Sequence, residues 1–359
     1  MKKAIIALCV IALLTGCTAQ TATVENSPAK SESPAKVVEV TDKSAVKDDD
    51  DDAKVIPVKT IDTDGEYTLT GKIDGQVLVT AENVTLILDG VTINCADGSA
   101  ILGKDGNGEE IEQELTIELR GENSVTGAKH GIQGKDDLTI TGTGSVNITA
   151  VKDGLHAGET LTVAGGTVNV LSSYEGMEAE TIVISGGNST VHASDDGVNA
   201  ASDDEGASPM IKINGGTLTI YSGSDGIDAN GTLEVTGGTT AIFVNASRDG
   251  DATDTDYGGA ITPALYGSGS VKAGTKLAVG DIFSITTEAD ATAFCLIVPG
   301  ITDGQSYKIT ADGAELTTVT ATAEIQGMMM PGGGKQGGTR PGEMPGNFPG
   351  GNPPGGRGR

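Results

Sequence analysis

The stretch KDGLHAGETLTVAGGTVNVLSSYEGMEA, residues 152–179, holds one complete repeat and the opening of the next. Its leading phrase runs polar residue, carboxylate, glycine, aliphatic residue, polar residue, alanine. The phrase returns as KHGIQ at 129–133, YEGMEA at 174–179, DDGVNA at 195–200 and SDGIDA at 224–229. Its glycines, Gly131, Gly154, Gly176, Gly197 and Gly226, stand 23, 22, 21 and 29 residues apart. Within the repeat, LTV at 161–163 precedes a Gly-Gly pair at 165–166 and TVNV at 167–170, and the pair recurs at 186–187, 215–216 and 237–238. Period-two bursts bounded by Gly, Asn or Asp read as short strands. Self-similarity just above twenty residues, without a long amphipathic stretch, marks a stacked β structure. The expected fold is all-β: a right-handed parallel β-helix with three short strands per turn. A β-sandwich also gives short alternating strands, but it does not need one phrase to return in register.

Stacking has chemical consequences. Equivalent residues of successive turns would lie about 4.8 Å apart. Ile132, Leu155, Met177, Val198 and Ile227 would form one inward ladder, and Leu138, Leu161 and Leu233 would belong to another. Asp153, Glu175, Asp196 and Asp225 would form an outward column of carboxylates, with His156, Glu178, Asn199 and Asp228 beside it. Such a column repels itself unless cations hold it. Calcium suits these donors, since it takes six to eight oxygens from carboxylates, amides and carbonyls. The expected ligand set is Asp153, Glu175, Glu178, Asp195, Asp196, Asn199, Asp225 and Asp228. The 29-residue step contains an extra loop, ASDDEGASP at 201–209, which would bulge out and leave its flanking corners stacked. An Asp-Gly corner is also a favourable turn by itself. That alone does not explain an oxygen donor two residues after the glycine in three consecutive copies.

The ends read differently. Met1-Lys2-Lys3, the apolar run Ala4 to Leu14 and the sequence Leu14-Thr15-Gly16-Cys17 form a bacterial lipoprotein signal over 1–17, with Cys17 as the lipidated residue. The apolar run is too short to span a bilayer, so the chain is expected to be anchored to a membrane, extracytoplasmic. Residues 18–59, rich in Ser, Thr, Pro, Lys and Asp and containing the run Asp48 to Asp52, read as a disordered acidic tether. The helix domain is placed at 60–260 and a small antiparallel β cap at 261–327. A Gly/Pro/Met-rich tail of 328–359 has no pattern for a core. Fifty acids against 23 bases give a net charge of −27, which argues against a nucleic-acid partner. Cys95 and Cys295 sit in apolar strand-like stretches and read as buried free thiols. His130, His156 and His192 read as solvent-facing or capping side chains. The stretch RDGDATDTDYG at 248–258 has a faint EF-hand look without its closing Glu.

GEYTLTGKIDGQVLV (65–79), VTLILDGVTI (84–93), LTITGTGSVNI (138–148), SDGIDANGTLEVTGGT (224–239) and GQSYKITADG (304–313), with the Gly/Pro/Met tail, resemble a known family. It is the secreted bacterial carbohydrate-binding β-helix family, formerly a domain of unknown function. The resemblance covers about 60–327. It implies calcium binding and a cellulose or acidic plant polysaccharide as partner. Residues 253–267 depart from the family's Asp-rich turn, so no ligand role is carried onto Asp254 or Asp256.

Three functions remain open from the residues. The first is a non-catalytic, calcium-dependent polysaccharide-binding lipoprotein. Bound calcium would reverse the local sign of a chain that otherwise repels uronates. Tryptophan is absent, which counts against a flat stacking platform for cellulose. Tyr174 and Tyr221, each just before an Asp/Glu-Gly phrase, would supply limited stacking, and acidic, pectin-like polymers are favoured. The second is a calcium-dependent polysaccharide lyase. Its base needs a lowered pKa, yet Lys135, Lys152 and Arg248 each stand beside aspartates, which act the other way. The third is an adhesin or spacer without a glycan ligand.

Overall fold

The computed structural model describes residues 57–106, 110–202, 204, 206–245 and 250–326, with the backbone alone of 36–38. The signal with Cys17, most of the tether including Asp48 to Asp52, Arg248, and the tail from 328 lie outside the described residues. Among the described residues every regular element is a strand, and no helix is long and apolar enough to cross a membrane.

The repeat at 152–179 folds as Leu155–His156, Thr160–Val163 and Thr167–Ser173, before Met177–Ala179 opens the next. Each strand pairs in parallel with its counterpart one repeat on: Leu155 with Met177, Leu161 with Ile182, Val170 with Val191. The phrase strands form one nine-stranded parallel sheet running from Lys59–Ile61 to Thr253–Thr255. The second and third strands of each repeat belong to a 16-stranded sheet. There the longer strands Met210–Ser222 and Thr232–Val244 continue through the glycine corner and pair with both sets. Val198 pairs with Ile227 across the 29-residue step, so the extra loop leaves the register intact.

The glycines have two different jobs. At the Gly-Gly corners the second residue, Gly166, Gly187, Gly216 or Gly238, has φ of 71–79°, a conformation costly for other residues. The phrase glycines are needed for space. A Cβ on Gly176 would lie 2.3 Å from the carbonyl oxygen of Gly197, and one on Gly197 2.6 Å from that of Gly226.

Inside, the apolar ladders are continuous. Ile101, Ile132, Leu155, Met177, Val198 and Ile227 pair in sequence, and each is fully buried. A second ladder runs Val125, Ile148, Val170, Val191, Ile220, Ile242 and ends on Cys295. Fully burying such a side chain is worth about 1.5–3 kcal/mol. Cys295 is therefore the last rung of an aliphatic ladder; it and Cys95 are both buried and unbridged.

Ala291–Ile297 lies antiparallel on Thr232–Val244 and on Ala264–Val271, covering an edge that would otherwise template association. A four-stranded antiparallel sheet, Lys276–Val279, Phe283–Thr286, Ser306–Ala311 and Ala314–Thr320, follows. It shares a second apolar cluster with Tyr221, Phe243 and Phe294. One expectation is corrected at the other end. The stretch read as a tether is not without structure throughout, because Lys36–Val38 pairs in parallel with Tyr67–Leu69. Its KVVEV sequence is rich in β-branched residues, which favour a strand.

Candidate functional site

Backbone pairing sorts the polar residues of the phrases into three columns. Gly131, Gly154, Gly176, Gly197 and Gly226 donate their N–H groups to the carbonyls of Asp153, Glu175, Asp196, Asp225 and Asp251 at 2.9–3.0 Å. His130, Asp153, Glu175, Asp196, Asp225 and Asp251 thus form one column. Direct strand partners give the second: Gln133, His156, Glu178, Asn199, Asp228 and Asp254. The N–H groups of Lys152, Tyr174, Asp195 and Ser224 donate to the carbonyls of Lys129, Lys152, Tyr174 and Asp195 at 2.7–3.1 Å, which gives the third.

The side chains meet as well as the backbones. His130, Asp153 and His156; Asp153, Glu175 and Glu178; Glu175, Asp195 and Asp196; Asp196, Asp225 and Asp228 each bring one ligand atom per residue within 4.8 Å of the others. Consecutive groups share Asp153, Glu175 and Asp196, so the four form one chain of donors. Asn199 joins it by donating Nδ2–H to Glu175 Oε2 at 2.9 Å. The carboxylates also brace the backbone: Asp225 N–H donates to Asp196 Oδ1 at 2.8 Å, and Asp251 N–H donates to Asp225 Oδ1. All eight residues expected as ligands therefore lie along this chain.

Electrostatics follow from crowding half-buried acids. Burial, opposed by the Asn199 hydrogen bond and reinforced by Glu178 and Asp153, pushes Glu175 up to about 7. Burial with the charges of Asp196, Asp228 and Asp254 raises Asp225 to about 7, against the Asp251 N–H that lowers it. Burial and the charges of Asp196, Asp254 and Asp256 raise Asp228 to about 6. Asp196 is raised too, again chiefly by burial. At the other end the sign reverses. Burial alone would raise Asp153, but the imidazoles of His130 and His156 hold it well below the usual carboxylate range. Burial alone would lower His156, and Asp153 with Glu178 instead push it up to about 9.

Several expectations need correction. Tyr221 is buried, stacked between His192 and Phe243, and its hydroxyl accepts the Glu288 N–H at 3.0 Å. It has no exposed face, whereas Tyr174 is half exposed on the third column. His130 and His156 are not solvent-facing caps. Their rings stand 4.7 Å apart, with both Nδ1 atoms at Asp153. Asp251 and Asp254 take up the next rung, although Ala252 and Thr253 replace the usual glycine and aliphatic residue there. The signal that would have found them is the Asp-x-x-Asp spacing of Asp225 and Asp228, repeated at 251 and 254. Lys135 Nζ is held by Asp136 at 2.9 Å and by the Ile111 carbonyl at 2.6 Å, and its pKa is raised by the Asp136 hydrogen bond.

The model of the family described as carbohydrate-binding domain-containing protein matches residues 57–314, which includes every rung of the donor chain. The chain belongs to that family. Among solved structures, a polysaccharide lyase-like protein from C. thermocellum, described as a gadolinium derivative, is similar in fold. The TM-score is 0.52 and the identity 24%, over 60% of this chain and 92% of that one. No curated protein matches the chain. Family membership thus gives carbohydrate as the ligand class.

Proposed function

We propose that the repeats wind as a right-handed parallel β-helix and that the chain is a non-catalytic, calcium-dependent polysaccharide-binding lipoprotein of a bacterial cell surface, taking acidic glycans. The observation that carries this reading is the donor chain itself. Seven carboxylates, Asp153, Glu175, Glu178, Asp195, Asp196, Asp225 and Asp228, meet in overlapping groups within 4.8 Å. Without a cation, burial drives Glu175 and Asp225 toward protonation near neutrality. A hard divalent ion relieves both burial and repulsion, and its all-oxygen surroundings suit calcium. An ion with open positions then accepts the carboxylates and hydroxyls of a uronate chain, which a protein of net charge −27 would otherwise repel. Lys129, Lys152 and Tyr174, all exposed, line the flank beside it and add cationic and stacking contacts. The lipobox Cys17 supplies the anchor in this reading.

A lyase reading draws on the lyase-like structural neighbour. It needs a base that is neutral at working pH, and Lys135 is pushed the other way by Asp136. Binding without cleavage is therefore preferred. Affinity electrophoresis through polygalacturonate, with calcium and again with chelator, tests the proposal. Retardation that needs calcium, with no unsaturated product absorbance, is expected. Calcium-independent retardation on neutral glucan alone, or product absorbance, overturns it.

A further inference from the structure

The donor chain changes character at its first rung. His130, Asp153 and His156 meet there instead of three carboxylates. His156 Nδ1 lies 3.0 Å from Asp153 Oδ2 and 3.3 Å from Glu178 Oε2. His130 Nδ1 lies 2.8 Å from the same Asp153 oxygen. Two imidazole nitrogens thus converge on one carboxylate oxygen. His130 is 8% exposed. Two ring nitrogens and a carboxylate oxygen within 4.8 Å of one another make a donor set that a single cation can bridge.

We propose that His130, Asp153, His156 and Glu178 form a site for one divalent transition-metal cation of the zinc class, distinct in kind from the all-oxygen groups further along. Imidazole nitrogen suits zinc, copper, nickel and iron, whereas calcium takes oxygen donors. Two imidazoles and two carboxylates make a four-donor set whose charge cancels a dication. The spacing fits as well. Bonds of about 2.0–2.1 Å to a tetrahedral ion place neighbouring donors about 3.3 Å apart; His130–Asp153, His156–Asp153 and His156–Glu178 stand 2.8, 3.0 and 3.3 Å apart. The inference stands apart from the calcium reading: it uses nitrogen donors, and only Asp153 and Glu178 are shared.

The test uses the full chain, stripped with chelator and titrated with cobalt(II) in saturating calcium. One equivalent with the intense visible absorption of a four-coordinate cobalt site, displaced by zinc, is expected. His156→Glu copies the residue that Glu178 supplies one rung on, so it should fold. It should weaken cobalt binding by roughly 100-fold or more, as should His130→Gln, while His192→Gln leaves it unchanged. No uptake, six-coordinate cobalt only, or undiminished uptake in His156→Glu overturns the proposal, and the two histidines then serve as counter-ions to Asp153. Calcium uptake measured on the same His156→Glu sample separates this failure from failure of the calcium reading, which predicts that uptake persists.

Discussion

The rungs at Val77–Val79 and Ile101–Gly103 and the rungs from Leu155 to Ala229 share one backbone and one aliphatic ladder, but not one surface. In the first pair the outward positions of the second column hold Leu78 and Leu102. In the later rungs the same column holds His156, Glu178, Asn199 and Asp228. Where the first column begins with Ser99, bonded to Gln133 at 2.9 Å, the later rungs place Asp153, Glu175, Asp196 and Asp225. Strand stacking is therefore indifferent to what projects outward. Inward residues build the scaffold, and outward residues decide whether it carries charge.

Four experiments test that contrast. The inward ladder should be equally intolerant in both regions: Ile101→Ala and Met177→Ala should each cost about 2–5 kcal/mol in denaturant unfolding. A much smaller loss at either position would mean that the two regions do not share a core. The outward columns should differ. Asp225→Asn should weaken calcium uptake, read by calorimetry, by roughly 100-fold, about 2.7 kcal/mol. The same change should stabilise metal-free protein at pH 7.5, because a crowded half-buried charge disappears. Ser99→Ala should leave calcium uptake unmoved.

The third experiment is a pH series on metal-free protein. Unfolded carboxyls lose their protons near pH 4, whereas Glu175 and Asp225 hold theirs to about 7 and Asp228 to about 6. Between those limits the folded chain binds more protons, so stability falls as pH rises. His156, raised to about 9, has the same sign further up: its contribution is complete below about pH 6.5 and is lost through 9. Asp153, held low, opposes this only in acid. Melting temperature without metal should therefore fall from pH 5 to pH 8. Millimolar calcium should flatten or invert the trend, and calcium affinity should weaken as pH drops from 8 to 5.5. The smallest effect concerns the flank: Tyr174→Ala should weaken polygalacturonate retardation severalfold, about 1 kcal/mol, while Tyr221→Phe should not change it.

Much of the scaffold was legible because the phrase glycine and the residue after it obey strict steric rules. Gly154, Gly176 and Gly197 leave no room for a Cβ, and their aliphatic neighbours fill a closed interior. The rung at Thr253–Thr255 escaped because it breaks both rules. Ala252 stands where the glycine should be, and Thr253 turns inward to share a hydrogen bond with the Tyr266 hydroxyl at 3.2 Å. Tyr221 departs from its expected exposure for another reason. Its place before a phrase resembles that of Tyr174, but it lies on Met210–Ser222, where Phe243 and the antiparallel strands beyond residue 260 cover it.

The period, the in-register columns and the residue types that stand in them could be read along the chain, since a strand's alternation and a glycine's missing side chain act locally. Which side chains touch is set by packing in three dimensions. His130 and His156 converge on Asp153 from different columns of neighbouring rungs, because side-chain contact between rungs depends on side-chain rotation and burial, and no spacing along the chain encodes either.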